Sequence, residues 1–417
     1  MTTLFDGTYA RGRAAAETSE AAWLQALLEV EAALARANAA AGLIPAAAAE
    51  RIAAACTAGR FDARALAREG ADHATVVVPL VAALRAAVGD DDARHVHRGA
   101  TSQDAIDSAA MLVARRALAA IDDDLAGATA AARALAAAHA NTAMIGRTLL
   151  QQALPTTFGL RAAGWMTALD VARARLRAVR ERDLWVQLGG PVGSRDPQVA
   201  ASVAAELGLA EPPLPWHAQR LPVAALAGAL GGACGVLSKV ARDVTLLAQD
   251  EIGELRERGE GRGGSSAMAH KRNPVAAVSV LACTRRVPGL VATLLASMEQ
   301  EHERAAGAWQ AEWGTLTDLL ALSGSAAAWA RDLLERVEVD RERMASNLAA
   351  ASRAPGGSEP AGAGAAEALV ARALATHDAR LGGASGAAGA GGAAGGGGAA
   401  GGGGAAGGRA AGGGEAP

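Results

Sequence analysis

The sequence predicts an all-α protein, an elongated antiparallel bundle of long helices behind a small helical N-terminal domain. Three observations predict it. Ala, Leu, Arg and Glu, all good helix formers, dominate the chain. β-branched runs are short, Val76–Val78 being the clearest. Long periodic stretches alternate with breaks at Gly and Pro. Aromatic residues are 3% of the chain, so the core must pack through Ala and Leu, which lets helices lie close together.

The elements follow in order. A helix spans 18–41, capped by Thr18 or Ser19, with Trp23, Leu27, Val30 and Leu34 on one face. Shorter pieces fill 45–88, broken near Gly59, Gly70 and Pro79. A long helix starts near Thr101-Ser102-Gln103-Asp104 and runs to about Ala140. The hydroxyls can cap its free N–H groups, and Asp104 suits its positive end. Pro155 begins a second, to about Trp185, and Gly189-Gly190-Pro191-Val192-Gly193 makes a turn. Pro222 starts a third, to about Arg258. After a Gly/Ser-rich loop, Pro274 opens a fourth, kinked at Pro288-Gly289, and a fifth covers about Glu301–Glu335. The expected domains are 1–100, a central bundle over 101–345, a helical region over 346–381, and a disordered Gly/Ala tail over 382–417. Some buried apolar faces are expected to meet other chains, since one bundle cannot bury every Ala/Leu stripe.

Bulk properties narrow the function. The net charge of −3 over 417 residues gives no broad pull toward nucleic acid or membrane. Cys56, Cys234 and Cys283 are few, far apart and odd in number, which argues against a disulfide framework or a structural zinc site. No His/Glu set has metal-ligand spacing. The N-terminus has no apolar signal core, and no uninterrupted apolar stretch reaches the roughly 20 residues of a membrane span. The cytoplasm is the expected compartment.

Three segments place small hydroxyl, amide or basic groups where loops meet helices. They are His97-Arg98-Gly99-Ala100-Thr101-Ser102-Gln103-Asp104, Gly146-Arg147-Thr148-Leu149-Leu150-Gln151-Gln152, and Gly263 to Pro274. In the third, Gly-Gly-Ser-Ser exposes backbone N–H groups, with Lys271, Asn273 and a helix start just beyond. Such donors suit a carboxylate-bearing ligand, and a serine among them could act as a base. Composition alone leaves open a flexible loop before a basic helix start. The first segment could equally be an ordinary helix cap, and Arg98 either a partner to a substrate carboxylate or an ordinary loop arginine.

The third segment resembles the fumarase/aspartase superfamily signature GSSxMPxKxN, matching at Gly264, Ser265, Ser266, Met268, Lys271 and Asn273. HRGATSQD resembles the same family's HxGxTSxD region. The resemblance implies a mobile loop that closes over substrate. Ser266 is then the proton-transfer residue, with Ser265, Lys271 and Asn273 as contacts, and Thr101, Ser102 and Gln103 hold substrate carboxylates. Two departures stand out. Ala269 replaces the family's proline, which should loosen the loop, and Leu221-Pro222 replaces an Asp-Arg pair.

The second segment discriminates within the superfamily. Its fumarases, adenylosuccinate lyases and argininosuccinate lyases usually carry a histidine after the threonine, in adenylosuccinate lyases the general acid to the departing amine; here the position is Leu149. The run RTLLQQALPTTFGLRAAGW is similar to the bacterial 3-carboxy-cis,cis-muconate cycloisomerases, as are Val186–Gly190, Pro215–Arg220 and Glu303–Trp313. That resemblance covers about residues 5–350 and implies a shortened C-terminal domain. It also implies reversible lactonisation of a tricarboxylate in protocatechuate breakdown, through an enediolate and without cofactor. Gln151 and Gln219 become substrate contacts. The family's sites are shared among three subunits of a homotetramer. Two alternatives remain: a C–N lyase of the superfamily acting on adenylosuccinate, argininosuccinate or nitrosuccinate, and a non-catalytic relative.

Overall fold

A computed structural model describes residues 4–259, 261–353 and 363–390. The chain divides into two units after Leu374. In the first, the N-terminal elements are α1 (Asp6–Tyr9), α2 (Arg13–Glu17), α3 (Glu20–Ala40), α4 (Ala46–Ala55), α5 (Ala63–Gly70), α6 (Val77–Val88) and α7 (Asp90–Ala93). Five long helices make the body: α8 (Ser102–Ala138), α9 (Phe158–Arg182), α11 (Leu221–Leu247), α12 (Val275–Ala296) and α13 (Ala308–Arg336). Helix α10 (Pro197–Leu207) lies outside that set, against α3, and α14 (Arg341–Ser352) packs beside a short hairpin.

Local chemistry sets several boundaries where the sequence puts them. Ser19 Oγ accepts from Ala22 N at 3.2 Å and starts α3. Thr101 caps α8 in a capping box, its N–H donating to Asp104 Oδ2 at 2.9 Å. Pro288 sits inside α12, which runs unbroken through it.

Side-chain pairs join the five helices. Asp122 on α8 holds Arg173 on α9, Trp165 on α9 holds Asp243 on α11, Cys234 of α11 and Thr284 and Val287 of α12 line one cleft, and Arg286 on α12 faces Asp318 on α13. Neighbours in that order pack against one another. The ring closes with α13 running parallel to α8, since Trp309 meets Asp107 and Arg331 meets Asp124. Small residues line the seams: Ala109, Ala114, Ala117, Ala128, Ala132 and Ala136 of α8 are buried to 0% exposure. At Gly324 an added Cβ would lie 2.2 Å from Ala14 Cβ, so only glycine lets α2 lie on α13.

The sequence reading needs four corrections. Pro155 does not open a helix; it lies in β2 (Gln151–Thr157), paired antiparallel with β1 (Ala143–Thr148), and α9 begins at Phe158. The third long helix stops at Leu247, and β3 (Leu255–Glu257) pairs with β4 (Val337–Val339). The fifth starts at Ala308, after Gly307 at φ +114°. The expected structureless tail is helical at its start, because α15 runs Ala366–Ala390; residues 391–417 lie outside those described, as do 354–362 of the expected C-terminal region. Helices α11 and α12 are also long and apolar enough, by length and composition, to cross a membrane, which the sequence reading had not expected. Both belong to the bundle's ring.

Candidate active site

The first segment sits at the N-terminus of α8. His97 and Gly99 take positive φ, +59° and +75°, bending the loop before the cap. Helix α3 holds that loop at two points: Glu31 meets His97 Nδ1 at 2.6 Å, and Asn38 Nδ2 donates to Arg98 O at 3.1 Å. Arg195 Nη1 also donates to Arg98 O, at 2.9 Å. A Cβ at Gly99 would lie 2.1 Å from Arg195 Nη1, so glycine is required there. The Arg98 side chain is exposed, and Thr101 and Ser102 are half-buried.

Gln103 is placed differently from its expected role. It is fully buried, Nε2 donating to His217 O (2.8 Å) and Asp107 Oδ2 (3.2 Å) while Oε1 accepts from Arg304 Nε (3.1 Å). Its amide is spent on protein groups and aligns the site's walls.

Behind it lies a buried ionic cluster. Arg220 donates to Asp107 through Nη1 (2.7 Å) and to Glu312 through Nε (3.0 Å), and it stacks 4.6 Å over Trp216. Trp309 Nε1 donates to Asp107 Oδ1 at 3.0 Å. Burial opposes the Arg220 charge, but Asp107 and Glu312 outweigh it and hold its pKa above the ordinary value. Burial pushes the Glu312 carboxyl up, against the pull of Arg220. This cluster ties α8, α13 and the Pro215–Arg220 segment into one wall. Gln219, its side chain exposed, follows Trp216 in a turn closed by its own N–H.

The second segment is a β-hairpin tip rather than a loop–helix junction. Leu149 and Leu150 both take positive φ, +49° and +65°, and are 96% and 75% exposed. Gln151 follows on β2, exposed and paired with Thr148. The hairpin's base is anchored by Arg147, whose two Nη atoms reach the fully buried Glu254 at 3.0 and 2.8 Å.

The third segment is an exposed loop with a closed neck. Asn273 N and Nδ2 both donate to Gly263 O, at 2.8 and 3.0 Å. A Cβ at Gly263 would lie 2.3 Å from Asn273 O. Ser265 Oγ accepts from the N–H groups of Ala267 and Met268, a local turn. Ser266 and Lys271 are exposed, and the Ser266 hydroxyl has no hydrogen-bond partner among the described residues.

Within one chain these parts stand apart. Arg98, Thr101, Ser102, Gln103 and Gln219 gather at the end marked by Trp309, while Arg262, at the foot of the serine loop, lies 5.9 Å over Trp329. From Trp309 to Trp329 along α13 is about 30 Å at the helical rise.

A family model described as lyase matches residues 9–289. The chain belongs to the fumarase/aspartase lyases. The 3-carboxy-cis,cis-muconate cycloisomerase of Bradyrhizobium diazoefficiens is 48% identical to this lyase over 335 residues, 78% of this chain and 74% of that protein. A nitrosuccinate lyase of Streptomyces davaonensis is 44% identical over 351 residues, 80% of this chain and 74% of that protein. Among solved structures, the crystal structure of 3-carboxy-cis,cis-muconate lactonizing enzyme from Pseudomonas putida matches with a TM-score of 0.84 and 38% identity, over 90% of this chain and 99% of that one.

Sequence reasoning assigned no site role to three residues that hold the candidate site together. Arg304 reaches from Gln103 to Pro191 O (3.3 Å), Arg195 braces Arg98, and Asp104 joins the Gly189–Gly193 turn to α8. Arg304 lies in the non-helical stretch between α12 and α13, which the sequence reading had taken as the start of the fifth helix. Among the described residues, no group of three or more His, Cys, Asp or Glu could hold a metal ion.

Proposed function

We propose that the chain catalyses the reversible cycloisomerisation of 3-carboxy-cis,cis-muconate to 4-carboxymuconolactone. In ring closure a substrate carboxylate oxygen bonds to one alkene carbon. The charge passes through the conjugated carboxylate as an enediolate, and the adjacent carbon takes a proton from Ser266 Oγ. Ring opening reverses each step. Arg98, Thr101, Ser102, Gln151, Gln219, Lys271 and the N–H groups around Ser265 offset the polyanion's charge.

The observation that carries this reading is Leu149 at the hairpin tip. A departing amine needs a proton donor at that position, worth about 10²–10⁴ in rate. A carboxylate leaves as a stable anion and needs none. The cycloisomerase relative supports the same reading.

The separation along α13 supports a site built between copies, in a homotetramer whose sites draw on three subunits. Helix α11 offers a surface for that. Leu221, Gly228, Gly232, Gly235, Lys239 and Arg242 are exposed along one stripe with a seven-residue repeat. Its small members allow another helix to approach closely. The setting is protocatechuate catabolism in the cytoplasm.

The nitrosuccinate lyase relative favours a second reading, elimination of nitrite to give fumarate, since nitrite also departs without an acid. An ultraviolet assay separates the two. Loss of the muconate diene absorbance with purified protein supports cycloisomerisation. Fumarate release from nitrosuccinate with no change in the muconate overturns it.

A further inference from the structure

Asp104 and His217 form a buried pair that the proposed chemistry has not used. The Asp104 side chain is 1% exposed and that of His217 5%. Four N–H groups converge on the carboxylate. Oδ1 accepts from Gly189 N and His217 Nε2, at 2.9 and 2.8 Å, and Oδ2 from Gly190 N and Thr101 N, both at 2.9 Å. Three of these are backbone donors that cannot reverse, an arrangement that suits an ionised carboxylate. With Nε2 engaged by Asp104, Nδ1 is the ring nitrogen left for another partner.

Nδ1 has no hydrogen-bond partner among the described residues, and it is not sealed away, as His95 Nδ1 is. It points toward Gly193, where an added Cβ would lie 4.0 Å from it. At Gly189 a Cβ would lie 2.8 Å from His217 Cε1. The glycines of this turn make room for the ring and leave Nδ1 uncovered, at the same end of the bundle as Arg98, Thr101 and Ser102.

Resting on the polycarboxylate reading, we infer that His217 is a substrate-binding residue. Its imidazolium Nδ1–H donates a charge-assisted hydrogen bond to one substrate carboxylate and keeps its proton through the reaction. Asp104 holds the ring by Nε2 and so aims Nδ1, as the carboxylate of a triad aims its histidine. Asp104 meets the His217 ring, and the charged groups linked to the residue through Gln103, Arg220 and the loop before α8 are Asp107, Glu312, Arg304, Arg195, Arg98 and His97. Of these, His97 is the other imidazole, and Glu31 already holds that ring.

His217→Gln tests this, because the glutamine amide can still donate to Asp104 while Nδ1 is gone. The expected result is a KM raised so that kcat/KM falls roughly 10- to 100-fold, with kcat little changed. Any decline of kcat/KM with rising pH that the wild type shows is expected to disappear. A variant with wild-type kcat/KM and the same pH profile overturns the proposal. So does one that loses activity together with thermal stability while the decline persists, which would make the pair scaffold alone. The imidazole nitrogen NMR spectrum, with His217 assigned by its loss in the variant, is read on the resting enzyme. Tricarballylate, a non-reacting tricarboxylate, is expected to shift the Nδ1 signal; no shift overturns the proposal. That reading judges His217 even if the muconate proves the wrong substrate.

Discussion

Arg220 forks onto Asp107 with both Nη atoms, at 2.7 and 3.1 Å, where the arginine side chain is 1% exposed. The Nε side of the same guanidinium serves Glu312. One cation thus neutralises two buried carboxylates from different helices. Arg220→Met leaves both facing each other without it, and is expected to lower unfolding stability by about 3–5 kcal/mol. Urea denaturation at fixed protein concentration measures it. Burial already pushes the Glu312 carboxyl up, and without Arg220 it rises further. The folded state then binds more protons than the unfolded one, so the deficit grows as pH rises. A loss that is small, or flat with pH, would show that the cluster contributes little.

The His97–Glu31 pair makes a second, opposite-signed pH test within the same wall. Burial opposes the His97 charge, but the Glu31 carboxylate outweighs it and raises the pKa. The folded state therefore holds this proton more tightly. Its contribution is fully present below the unfolded value, ordinarily near 6.5, and is lost as pH rises through the folded one. His97→Asn removes the charge, and asparagine tolerates the positive φ. The wild type is expected to lose melting temperature with rising pH through this window by more than His97→Asn does. Parallel curves would remove the pair from the stability account.

How much of this was legible in the sequence depended on how local the deciding interaction was. The starts of α3 and α8 were readable because Ser19 and Asp104 cap within three residues. The hairpin was not, because Leu149-Leu150 carries none of the Gly, Asn or Asp chemistry of a positive-φ turn, and Pro155 enters a strand only beside the bulge near Gly146. The third helix stopped short of its propensity because Glu254 is held by Arg147 and Asn347, both distant in sequence. The serine loop was visible as a motif. The contacts Asp104–His217 and Gln103–Arg304 join segments whose separation no spacing rule encodes.

Ser266 offers a substitution whose two effects should separate cleanly. Its side chain is exposed and has no hydrogen bond among the described residues. Ser266→Ala is expected to change stability by no more than about 0.5 kcal/mol, while turnover falls by at least about 10²-fold. Asn273→Ala opens the loop's neck, and is expected to speed proteolytic nicking between Gly263 and Asn273. If Ser266→Ala keeps its rate, another group moves the proton.

The distance along α13 makes the strongest demand on the assembly. If the serine loop of one copy meets the Thr101 end of another, two inactive variants must rescue each other. Ser266→Ala spoils one end, and Thr101→Val spoils the other while keeping a β-branched residue at an extended backbone position, φ −122° and ψ 164°. Denatured together and refolded, or coexpressed, the two variants are expected to recover about a quarter of the wild-type rate by random mixing of subunits. Each refolded alone stays inactive. A mixture that forms hybrid oligomers yet recovers no activity would mean that both ends act within a single chain. The bundle would then have to bring together groups that its own helices hold about 30 Å apart.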